Sequence, residues 1–379
     1  METKEKIIKY LLWFFVCVVL VLGLLLLKTN SSLKNSEVKS ETLVVEKNLV
    51  ATSTETKGKV VEKLPTSVST KCEFPSTDFD CYYNYYTKLV KEKGPKEAFI
   101  DLKKQYETSS YVRAQCHPLT HVIGRTTAML YPNTTEAYKY GDPLCWSGFY
   151  HGVMETIVNE IGIEKIKSSL DNICDGIPGK EKYSFDYYNC VHGLGHGLMA
   201  ITENELFDSL KYCDSLTGDW ERSSCYGGVF MENVIVDNLS HFTKYLKPSE
   251  PLYPCNAVGG VYKTQCYLMQ TSYMLKVTSY DFNKVFELCR NADLGFEATC
   301  FQSLGRDASG QSLSNADATW AKCSLGIGFD EQSNCIVGAV KDFISYYHSD
   351  NQANVLCAIV SPDLQKICLD TATSYYKTL

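Results

Sequence analysis

The chain has 379 residues, 44 of them acidic and 37 basic, for a net charge of −7; 45% is hydrophobic and 21% charged. That length holds one or two domains with an ordinary globular core. The acidic balance and the lack of a basic stripe argue against nucleic acid as a partner.

Lys4, Lys6 and Lys9 open the chain, and Tyr10 to Leu27 then carries no charge. At ~1.5 Å rise per residue such a run crosses a hydrocarbon core of ~30 Å. The preceding lysines predict a cytoplasmic tail over 1–9 and a single-pass anchor over 10–27. A cleaved signal peptide is the competing reading. The apolar run is long for one, and LLLLKTNSS offers no small-x-small cleavage site. Residues 28–71 are rich in Ser, Thr, Lys, Val and Glu and have no aromatic residue, which predicts a flexible stalk.

All but one of the 17 cysteines lie beyond that stalk, in a domain expected over 72–379. Their even number, on the oxidising side of a membrane, argues for disulfides. No C-x2-C pair is present, which argues against a zinc ribbon. Neighbour pairing uses every one of them: Cys72–Cys81, Cys116–Cys145, Cys174–Cys190, Cys213–Cys225, Cys255–Cys266, Cys289–Cys300, Cys323–Cys335 and Cys357–Cys368. The Cys116–Cys145 pair rests mainly on their being left over. The first members at 255, 289, 323 and 357 recur at the period of helix–turn–helix solenoids. Segments such as VFELCRN read as ends of first helices. Segments such as SNCIVGAVKDFISYY read as starts of second helices, with apolar residues three and four apart. The expected fold is all-α: a disulfide-stapled helical-hairpin solenoid, extracytoplasmic, behind the transmembrane helix.

The stretch CRNADLGFEATCFQSLG, from Cys289 to Gly305, resembles cysteine-rich Sel1-like α/α repeats, in which one disulfide closes each helical hairpin. The resemblance extends over the last four units. It implies a helical-repeat fold and no activity, since a fold does not carry a function.

Five of the seven histidines follow cysteines in three segments: CHPLTHVIGR from Cys116, CWSGFYHGVME from Cys145 and CVHGLGHGLMA from Cys190. His117 with His121, His151 with Glu155, and His192 with His196 are four residues apart, which puts each pair on one helix face. Imidazole and carboxylate are ligands for zinc or iron. The predicted site is therefore His117, His121, His151, Glu155, His192 and His196, holding one or two divalent transition-metal ions on a concave wall of the solenoid. Hairpin repeats presenting paired ligands to two irons in deoxyhypusine hydroxylase offer an architectural analogy. A buried hydrogen-bond network without metal is the competing reading. If HGLGHG were a loop, the pairing of His192 with His196 would fail.

Glu155 and Arg125 are the catalytic candidates, as ligand or base and as anion holder. Arg306 is open to the same role, and either arginine is open instead to an ion pair with Asp307, Glu155 or Glu232; Glu232 is also a lower-ranked ligand because its offset from its cysteine differs. No G-x-S-x-G, H-E-x-x-H or P-loop is present. Three functions fit: a hydrolytic or oxidative metalloenzyme, a metal-sequestering protein, or a scaffold binding a protein or small-molecule ligand in its concave face with structural histidines. His241 and His348 stand alone and read as structural.

Overall fold

A computed structural model describes residues 76–234 and 243–377. The predicted tail, anchor and stalk, and Cys72 with its proposed bond to Cys81, lie outside these residues, as does His241. Among the described residues there is no strand, and no helix is long and apolar enough to cross a membrane.

The helices are α1 (Phe79–Lys93), α2 (Pro95–Thr108), α3 (Ser110–Ala114), α4 (Cys116–Leu130), α5 (Thr134–Tyr138), α6 (Gly148–Ile161), α7 (Ile163–Ile173), α8 (Phe185–Ile201) and α9 (Leu206–Cys213). After them come α10 (Asp219–Val234), α11 (Gly260–Val277), α12 (Phe282–Arg290), α13 (Glu297–Gln311), α14 (Ala316–Cys323), α15 (Gly328–Tyr347), α16 (Asn351–Ile359) and α17 (Pro362–Tyr376). The longer second helices α4, α6, α8, α10, α11, α13, α15 and α17 pack each on the next in one continuous row. The shorter first helices lie beside them and are amphipathic. In α12, for example, Phe282, Val285, Phe286 and Cys289 are buried, at helical spacing, and Asp281 caps the start by accepting from the Asn283 and Lys284 amides.

Seven of the predicted disulfides are present, with Cα–Cα distances from 5.4 to 5.9 Å, including Cys116–Cys145. In most repeats each joins the end of a first helix to its second helix. The repeat shows again where a second helix hands over to the next first helix. After α8, α11 and α13, two successive residues take positive φ: Glu203 and Asn204, Ser279 and Tyr280, Leu313 and Ser314. In each turn the second of these donates its amide to the carbonyl five residues back, on Met199, Leu275 and Ser309. One unit departs from the pattern: residues 243–259 before α11 form turns, with no first helix among the described residues.

Glycine sets how closely the row packs. A Cβ on Gly305 of α13 would overlap the Cys335 carbonyl oxygen of α15, and one on Gly338 would overlap the Gln302 carbonyl, so the two backbones touch. Gly305→Ala is expected to destabilise the fold by about 2 kcal/mol, because overpacking against rigid backbone outweighs the ~1 kcal/mol that alanine gains over glycine in a helix. Chemical denaturation with disulfides intact measures this. Gly260→Ala, where a Cβ meets nothing within 4 Å, should be close to neutral.

The sequence pattern predicts an open concave face. The repeats instead curl until late ones meet early ones. The Trp146 ring lies 5.6 Å from Tyr346, and Phe185 meets His348 edge-on at 4.5 Å. Tyr346 also stands close enough to Tyr106 of α2 to feel its hydroxyl. The later repeats therefore close over the histidine-bearing ones.

Candidate metal centre

All six predicted ligands come together. They form three overlapping groups whose ligand atoms lie within 4.8 Å of one another: His117, His121 and His151; His151, His192 and His196; and Glu155, His196 and Glu232. Glu232, ranked low from sequence, belongs with them.

The helices that carry these groups are fixed by close contact. HGLGHG lies wholly inside α8, so His192 and His196 do share a face. The α4 helix begins at Cys116, which places His117 within its first turn. A Cβ on Gly152 would overlap the His121 carbonyl, and one on Gly228 the His192 carbonyl. Only glycine lets α6 lie that close to α4, and α10 that close to α8. That approach brings Glu155 onto His121 and Glu232 onto His196.

Two similar sets result. On α4, His121 Nδ1 lies 2.7 Å from Glu155 Oε1, and its Nε2 lies 3.0 Å from His117 Nε2. On α8, His196 Nδ1 lies 2.6 Å from Glu232 Oε2, and its Nε2 lies 3.3 Å from His192 Nε2. His151 sits between the sets, stacked on His196 with ring centres 4.0 Å apart and 5.4 Å from the His121 ring. Its Nδ1 is buried and has no hydrogen-bond partner.

Proton bookkeeping makes the first set unusual. Arg125 Nη1 donates to Glu155 Oε2 at 2.8 Å. Burial alone would raise the Glu155 pKa, but His121 and then Arg125 outweigh it and hold it at about 2. An ionised carboxylate only accepts, so His121 Nδ1 must donate to it. His117 Nδ1 lies 2.7 Å from the Cys145 carbonyl oxygen, which also only accepts. A neutral imidazole has one N–H, and His117 has spent its own on that carbonyl. Its Nε2 therefore presents a lone pair toward His121 Nε2, 3.0 Å away. Burial, followed by the neighbouring His121, holds the His117 pKa at about 3. Burial also pushes His151 and His192 well below the usual imidazole range. These rings stay neutral at pH 7, as metal ligands must be. On α8, Tyr188 OH lies 3.2 Å from His192 Nδ1, and that contact can be made with the proton on either side.

The catalytic candidates separate. Arg125 reaches the centre through Glu155. Arg306 is held by Asp307, Ser272 Oγ and the Leu268 carbonyl, which bears out the ion pair with Asp307, and it acts on His192 only through its charge. His348 packs on Phe185, away from the cluster. Tyr188 is not marked by the sequence pattern; its only signal is its place one turn before His192. Of the clustered histidines and carboxylates, His117 alone is not fully buried, and the Arg125 side chain is 31% exposed. Tyr188 is 37% exposed, and its hydroxyl touches His192.

A centre of imidazoles steadied by carboxylates can hold a transition metal, with each carboxylate orienting its histidine. Comparison with protein-family models, curated proteins and solved structures finds no match, so the site itself carries the functional argument.

Proposed function

We propose that the chain is a membrane-anchored extracytoplasmic protein whose helical-repeat domain binds a divalent transition metal, zinc or iron, through His117, His121, His151, Glu155, His192 and His196, and uses it in hydrolytic or oxidative chemistry. The observation that carries this reading is the convergence of the ligand atoms of His117, His121 and His151, and of His151, His192 and His196, each set within 4.8 Å of one another. A cation there would take the imidazole nitrogens as ligands. The ligand types suit a borderline metal rather than calcium or magnesium. A bound ion of this kind would acidify a water molecule or polarise a substrate oxygen. The partial exposure of His117, Arg125 and Tyr188 supports an approach to the centre from outside. The anchor is supported by the uncharged run over residues 10–27 and by disulfides that suit an oxidising compartment.

Burial favours a second reading, sequestration without turnover: His151, His192 and His196 are at most 2% exposed. Elemental analysis of the detergent-purified full chain, beside a His151→Ala/His196→Ala variant, tests both readings. Bound metal in the wild type and almost none in the variant is the expected result. Near-zero metal in both would overturn both readings. Exchange of the bound ion with free metal within minutes would favour an accessible, working centre over a sequestering one.

A further inference from the structure

The centre contains more ligands than one ion uses. Five imidazoles and two carboxylates converge, while a tetrahedral zinc takes four donors. They are also arranged twice over. On α4 and on α8, two histidines four residues apart turn their Nε2 atoms toward each other, at 3.0 and 3.3 Å. In each case the second histidine gives its Nδ1 to a glutamate on the next helix of the row, at 2.7 and 2.6 Å. Two nitrogens bound to one tetrahedral ion at ~2.0–2.1 Å stand roughly 3.3 Å apart, so both pairs are already spaced as ligands of a single ion each. His151 is near both pairs, and its buried Nδ1 is unpartnered.

From this we propose a two-ion centre, built from one half-site at His117 and His121 with Glu155, and a second at His192 and His196 with Glu232, with His151 between them. The proposal rests on the metal-binding reading above and goes beyond it in number and arrangement. The two half-sites are not equivalent. The first is partly accessible at His117 and has Arg125 on its carboxylate. The second is buried, with His192, His196 and Glu232 at most 5% exposed. The first half-site is therefore the one that exchanges its ion and meets substrate, while the second holds its ion more permanently.

The test is a cobalt(II) titration of the metal-stripped full chain, reading bound cobalt after desalting, the visible d–d absorption and the electron paramagnetic resonance spectrum. Two cobalt ions per chain and magnetic coupling between them are expected. His117→Ala/His121→Ala and His192→Ala/His196→Ala should each keep one ion and lose the coupling. One cobalt per chain in the wild type would overturn the two-ion proposal and leave the metal-binding reading standing; no cobalt would remove both. Two uncoupled ions, or two ions retained in either paired variant, would place the second ion elsewhere and also overturn it. If a paired variant does not fold, the wild-type stoichiometry and coupling decide alone.

Discussion

Glu155→Ala is expected to lower the unfolding free energy by about 3–5 kcal/mol, the usual cost of removing one partner from a buried charged pair. The Glu155 side chain is only 9% accessible and accepts from two donors at once, His121 Nδ1 and Arg125 Nη1. Without it, a buried imidazole N–H has no acceptor, and a guanidinium loses its counter-charge beside four other imidazoles. Arg125→Ala should cost less, because that side chain is 31% exposed and water replaces part of what it loses. Measuring both by guanidinium denaturation, with disulfides intact and a chelator present, keeps metal loss out of the comparison. Equal costs for the two variants would mean that the carboxylate is not the centre of this network.

Asp342→Asn is expected to do the opposite and stabilise the protein by about 3 kcal/mol at pH 7. Asp342 lies on α15, its Oδ2 is buried without a hydrogen-bond partner, and burial raises its pKa to about 6. Asp307 adds to the rise, while Ser309, Arg306 and Trp146 work against it; Tyr346 and Tyr375 also face it. The folded state thus holds the proton more tightly than the unfolded chain, where an aspartate titrates near 3.8. The contribution of Asp342 to stability should be greatest below about pH 4 and fall by ~1.4 kcal/mol for each pH step of one as pH rises to about 6. Asparagine stays neutral, so the variant's advantage should grow over that window and then level off. Denaturation midpoints from pH 4 to 8 give the test. A gain that does not depend on pH would point to packing rather than charge.

Much of this was readable from local spacing. The cysteines of each hairpin lie close in the chain, so counting residues was enough to pair them, and the four-residue steps of His117–His121 and His192–His196 needed only a helix to become a site. Glu232 was harder. Its offset from Cys225 differs from that of Glu155 from Cys145, because Cys225 lies inside α10 while Cys145 precedes α6. What the two glutamates share is a partner on the preceding long helix, and that relation exists only after the helices stack. The contact of Trp146 with Tyr346 was out of reach for the same reason. It depends on how much each repeat turns, which the glycine-mediated contacts set and no local periodicity records.

The short reach of the disulfides also bears on how the chain is made. Each of the seven bonds joins cysteines that are synthesised within moments of each other, the widest being 29 residues apart. Oxidation can follow synthesis hairpin by hairpin, with few wrong partners on hand. The Trp146–Tyr346 closure must wait for nearly the whole chain, so the histidine helices are locked before the late repeats close on them.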